Sequence, residues 1–120
     1  MKMISKLLLA GLVLGISACA PTSRFEWGAY ENTLYAYSKA PEAREAYRNS
    51  LVTALRTGEA SNRVAPGLNA ELGYLYMEEG RPAEAIQYFE AEKRLFPESQ
   101  RFMDGVITRL RSGAVGGENQ

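Results

Sequence analysis

Two pairs of closely spaced carboxylates, Glu78-Glu79 and Glu90/Glu92, are the groups in this chain that could carry acid–base chemistry, and Cys19 is its one thiol. Two carboxyls can act as a general acid and base where they converge on one substrate. These pairs read instead as solvated helix surface, with Glu90 and Arg94 at the i,i+4 spacing of an ordinary exposed ion pair. The chain has no histidine, which removes most metal sites and the common nucleophile–base pairs. Gly116-Gly117 lies near the C-terminus and not between a strand and a helix, so it is no phosphate loop. The expectation is a protein that is not an enzyme, with no catalytic residue, metal or cofactor.

Cys19 points to a different chemistry. Lys2 and Lys6 flank a short charged start, Leu7 to Ile16 is apolar, and Ser17 and Ala18 lead into the cysteine. Charge, hydrophobe and small-residue site in that order make a secretory signal, too short for a spanning helix. Ile16-Ser17-Ala18-Cys19 resembles the bacterial lipobox, in which the cysteine becomes the acylated first residue of the mature protein. The resemblance implies a cleaved signal peptide over 1–18 and lipidation of Cys19 by chains such as palmitate. Each buried CH₂ would contribute roughly 0.8 kcal/mol to a lasting anchor. Ala20, where an Asp commonly marks inner-membrane retention, favours the periplasmic face of the outer membrane.

The elements that follow are helical. Leu68, Leu72, Leu75 and Tyr76 recur at steps of three and four, the face of a 3.6-residue period. Pro66 suits a first helical turn, and Gly80 a left-handed close. Pro82 restarts a helix with Glu84 near its N-terminus, and Ala85, Ile86, Phe89 and Phe96 face inward before Pro97 stops it. Leu72-Gly73, Tyr76, Gly80, Ala85, Phe89 and Pro97 together resemble the tetratricopeptide signature, whose period is about 34 residues. Gly73 and Ala85 would be small where two helices cross, with Tyr76 and Phe89 filling the space beside them. Glu92 departs from the pattern, standing where a small residue is usual, and invites an Arg partner or different packing of the last turn.

Around this hairpin the chain predicts further helices. Residues 19–24 hold the lipidated cysteine and a short tether; four or five residues reach roughly 15–18 Å. Ser23-Arg24-Phe25-Glu26 fits a capping box, so a first helix is expected to begin at once. Trp27, Tyr30, Leu34 and Tyr37 follow on one face, as a binding surface or as rings packed on the next helix. Pro41-Glu42 opens a second helix with Ala43, Tyr47, Leu51, Ala54 and Leu55 inward and Gly58 as its stop, and Glu59 to Ala65 reads as a loop. Phe102, Met103, Val106, Ile107 and Leu110 mark a fifth helix covering the open end, with Gly105 allowing close packing. The result is an all-α fold of about five helices, tetratricopeptide-like hairpins over 25–112, then a mobile tail over 113–120.

Fourteen basic residues balance fourteen acidic ones, and no Lys/Arg run offers purchase on nucleic acid. In tetratricopeptide arrays the first helix of each unit lines the concave face. That resemblance places Ala70, Tyr74, Met77 and Glu78 there as partner-binding residues, with Tyr74 and Met77 an adaptable apolar contact. Ala70 and Tyr74 stand where some repeats hold a basic carboxylate clamp, so the expected ligand is a helix or an extended segment. Packing of Tyr74 and Met77 on a neighbouring helix is the other reading.

A wider resemblance rests on Trp27-Gly28-Ala29-Tyr30-Glu31, Leu34-Tyr35-Ala36-Tyr37, Pro66-Gly67, Ala70-Glu71-Leu72-Gly73, Glu92-Lys93 and Phe96-Pro97-Glu98-Ser99 with Phe102-Met103. Together these resemble a family of small bacterial lipoproteins, the domain-of-unknown-function family 4810. The chain departs at Val64-Ala65-Pro66, where the family's approach is more proline-rich. Relatives are often encoded beside a lipoprotein resembling the curli secretion channel. The resemblance implies a protein-binding adaptor in an outer-membrane lipoprotein complex for export or surface assembly, its partner a channel-like lipoprotein and no small-molecule substrate. The alternative is a structural or regulatory envelope lipoprotein acting on cell-wall synthesis, which the short tether disfavours.

Overall fold

The computed structural model describes residues 23–113. The signal segment and Cys19, and all of the tail but Gly113, lie outside the described residues. The named elements among them are helical, with five α-helices: α1 (Tyr30–Lys39), α2 (Arg44–Ser61), α3 (Leu68–Glu78), α4 (Pro82–Leu95) and α5 (Gln100–Arg111).

Proline sets two of the breaks in the same way. A residue before proline is pushed out of the α region, and Ala40 (φ −145°, ψ 113°) and Phe96 (φ −129°, ψ 84°) are extended accordingly. Pro41–Ala43 and Pro97–Ser99 then form single 3-10 turns that lead into α2 and α5. The third break uses glycine. Gly80 has φ +72°, and the N–H groups of Gly80 and Arg81 return to the carbonyls of Met77 (3.0 Å) and Tyr76 (2.9 Å), closing α3 in a Schellman motif. Pro82 starts α4 immediately.

Four details depart from the sequence expectation. Ser23–Glu26 does not begin a helix: the Glu26 N–H donates to the Arg63 carbonyl at 2.8 Å, and Glu26 and Val64 form an isolated parallel bridge. The segment takes its backbone partners from the α2–α3 connection, and α1 waits until Tyr30. Gly58 does not stop α2, which runs on to Ser61 and closes on left-handed Asn62. Gly58 is instead where the returning chain crosses, since a Cβ there would lie 2.9 Å from the Val64 Cα. Pro66 precedes α3, whose start is set by left-handed Gly67. Gly105 makes no close helix contact; its nearest neighbour across a built Cβ is Arg109 Nη1 at 3.7 Å.

Helices adjacent in sequence are adjacent in space, α1 on α2, α2 on α3, α3 on α4 and α4 on α5, so the hairpins stack in chain order. Tyr47, Leu51, Ala54, Leu55, Ala65, Leu68, Leu72 and Leu75 form one core, and Ala85, Phe89, Met103, Val106, Ile107 and Leu110 a second. Tyr76 packs on both. Between α3 and α4 a Cβ on Gly73 would come within 2.6 Å of Phe89 Cε1, so only glycine fits beside that buried ring.

Candidate partner-contact surface

Ala70, Tyr74 and Met77 project from one face of α3 and pack, half-buried, on the second core. The Tyr74 ring meets Phe89 edge-on at 5.2 Å. Burial pushes its phenol up, with the Arg109 guanidinium of α5 pulling the other way. Glu78 diverges from these three. It is exposed and pairs with Arg44 of α2 at 2.8 Å. The structure thus brings together three of the four residues named from sequence, and brings them against neighbouring helices.

The same side of the molecule continues onto α5. Met103, Val106, Ile107 and Leu110 complete the buried stripe of that helix and leave Phe102 outside it, 59% exposed. From sequence, Phe102 stands with these four in marking the helix that covers the open end. The signal that separates them is the stripe's own 3-1-3 spacing, which is complete without Phe102. Phe102 borders an open depression of about 410 Å³ shared with Glu98, Arg101, Gly105 and Arg109. The absent side chain of Gly105 keeps it open. Arg109 connects the depression to Tyr74. An apolar ring beside two guanidiniums is an arrangement suited to contact with another protein surface.

The carboxylates considered for acid–base work are committed elsewhere. Glu79, 22% exposed in its side chain, meets Arg48, Arg44 (3.4 Å) and Arg81 (3.6 Å). Arg44 also donates to the Leu75 carbonyl and the Tyr37 hydroxyl, both at 2.8 Å. Arg81 lies 4.5 Å over the Tyr76 ring, which stacks on Tyr88 at 5.3 Å. Its ion pair holds the Glu84 carboxyl below the usual range. Glu79 is therefore one edge of an arginine–aromatic network, while Glu78 remains exposed and joins it only through Arg44. Glu90 pairs with Lys93 (3.0 Å) and Arg111 (3.3 Å), not with Arg94.

Glu92 has no arginine either. It is 3% exposed, and its Oε1 accepts the Gly67 N–H at 2.7 Å, capping the α3 N-terminus from α4. Nothing in the linear spacing marks this, because the partner is a backbone group 25 residues away.

Trp27, Tyr30, Leu34 and Tyr37 pack on the first core as a ladder of rings, with Tyr37 stacked on Tyr47 at 5.3 Å. The Tyr47 hydroxyl donates to Glu71 Oε2 at 3.0 Å, and burial, then the Glu71 charge, push that phenol far up. No group of three His, Cys, Asp or Glu among the described residues could hold a metal, and no described helix is long and apolar enough to cross a membrane.

A family model described as "Domain of unknown function (DUF4810)" matches residues 25–106. No curated protein and no solved structure matches the chain.

Proposed function

Since the chain belongs to the DUF4810 family, we propose that it is a lipid-anchored envelope protein that works as a protein-binding adaptor. In this reading Cys19 carries the acyl chains at the periplasmic face of the outer membrane. The helical body docks a channel-like lipoprotein through the surface shared by α3 and α5. The α3–α4 hairpin is read as one tetratricopeptide-type unit, supported by Gly73 against Phe89, the Gly80 close and the Pro97 stop.

The observation that carries the adaptor reading is the exposed Phe102 ring at the rim of the Gly105 depression, with Arg101 and Arg109 beside it. An exposed ring on a terminal helix gains from a partner that covers it. The partner class comes from the family resemblance, and the anchor from the order of charge, apolar run and Cys19. Photo-crosslinking in intact cells, with a reactive residue at Tyr74 or Phe102, tests it. Capture of a channel-like lipoprotein is the expected result. Capture of a cell-wall synthase, or the same capture from exposed Tyr35 on α1, would replace it.

A further inference from the structure

The body is held from Ser23 onward. The Ser23 carbonyl accepts from the Arg63 guanidinium, and Arg63 pairs with Glu26 at 2.9 Å. Cys19 precedes Ser23 by four residues. At no more than about 3.6 Å per residue, a lipid on Cys19 lies within about 14 Å of that point. Beside Ser23 opens a cleft of about 340 Å³, between Arg24 and Phe25 on one wall and Leu95 and Phe96 on the other, with Arg63 at its back. Arg24 has no carboxylate partner among the described residues, and residues 19–22 contain no acid. Leu95, at the end of α4, is 43% exposed and lines the cleft beside Phe96. No acidic side chain lines the cleft.

With Arg63 paired to Glu26, Arg24 is the available cation, and its place beside Phe25, Leu95 and Phe96 matches a phospholipid at the interface, where a phosphate sits directly above glycerol and acyl chain. Resting on the reading of Cys19 as the anchor, we infer that this cleft receives the headgroup of an anionic phospholipid in the leaflet that holds Cys19. The leash brings the cleft to the bilayer, and Arg24 and Leu95 fix the angle. The α2–α3 and α4–α5 connections then face the lipid. The Gly80 turn stands a helix length away, about 16 Å at 1.5 Å per residue of α3. The adaptor surface would be presented at one defined tilt.

Residues 19–120, which include the whole helical body, can be coupled through Cys19, the only thiol, to maleimide-headgroup phospholipid in phosphatidylethanolamine–phosphatidylglycerol vesicles. Hydrogen exchange is compared with the N-ethylmaleimide-capped protein in solution. Exchange should slow over 24–26, 62–64 and 95–98, not over 79–81, and the slowing should grow with phosphatidylglycerol content. Arg24→Gln should lose about fivefold of it, the worth of one basic residue near an anionic surface. Slowing that is equal in Arg24→Gln or in pure phosphatidylcholine, or that falls on 79–81, overturns the inference. The chemical link makes this outcome independent of acylation in the cell, which the mass of the native protein reports separately.

Discussion

The Glu92 carboxylate on α4 accepts the backbone N–H of Gly67 at the foot of α3, at 2.7 Å, so one helix of the hairpin caps the other. Helix N-termini leave N–H groups without intrahelical partners and favour negative charge. The second oxygen, Oε2, is buried without a hydrogen-bond partner among the described residues, so the Gly67 N–H is the donor that holds this carboxylate. Glu92→Ala should therefore destabilise the domain by about 1–2 kcal/mol, from a lost cap that leaves the Gly67 N–H without its acceptor. Glu92→Gln keeps an acceptor and should cost about 1 kcal/mol or less. Urea midpoints of the two variants check the order, and an Ala variant as stable as the Gln variant would contradict it.

Glu92 also gives the domain a pH dependence of definite sign. Burial raises its carboxyl above the ordinary 4.5, against the pull of the N–H groups of Gly67, Ala70 and Asn69. Between 4.5 and the raised value the folded chain keeps a proton that the unfolded chain gives up. Stability therefore falls as pH rises through that window and levels above it. Glu92→Gln should remove this component, so the difference between wild type and variant should slope from pH 4 upward and then flatten. Parallel urea titrations from pH 4 to 8 would show a flat difference if the carboxyl were not raised.

Two glycines in helices should respond to alanine with opposite signs. At Gly73 the new methyl would meet Phe89 ring carbons at 2.6 and 2.8 Å, and that ring is fully buried. Gly73→Ala should cost about 1–3 kcal/mol by overpacking. Adding Phe89→Leu should recover part of the loss, a non-additive pair. At Gly105 only Arg109 Nη1 is near, at 3.7 Å. Gly105→Ala should stabilise α5 by about 0.5–1 kcal/mol. Thermal melting distinguishes the two directions directly.

Glu79 and Glu78 are neighbours with unequal roles. Glu79 is 22% exposed and faces three arginines, while Glu78 is 55% exposed and faces one. Exposed pairs contribute little, whereas Glu79→Gln removes the one carboxylate shared by three guanidiniums and leaves Arg44, Arg48 and Arg81 with one acidic partner each among the described residues, Glu78, Glu45 and Glu84. Glu79→Gln should lower stability by about 1–2 kcal/mol and Glu78→Gln by less than about 0.5 kcal/mol. Urea unfolding at low and high salt checks both, with the Glu79 effect the less sensitive to salt.

The helices were legible because their signals are local. Pro41, Pro97 and Gly80 punctuate the chain by their own backbone limits, and the spacing of Leu68, Leu72 and Leu75 faces the core as its period requires. What was not legible depends on partners distant in sequence. Ser23–Glu26 carries a capping pattern, yet its backbone found Arg63 and Val64 first. Gly58 looked like a terminator because a glycine required by a crossing chain and one required by a turn are the same letter. Tyr74 and Met77 are half-buried against the second core, which depends on the packing of α4 and α5 that spacing along α3 does not encode. Phe102 was the reverse case, an apolar residue beside a stripe already complete without it.

The proposed adaptor role depends on contact through the α3–α5 surface. Phe102→Ser removes a ring that is 59% exposed, so the fold and its melting temperature should change little. Affinity purification of this variant from solubilised membranes should lose the channel-like lipoprotein at least about tenfold, as expected for an aromatic anchor worth more than 1.4 kcal/mol. Recovery of that partner at the wild-type level would contradict the account.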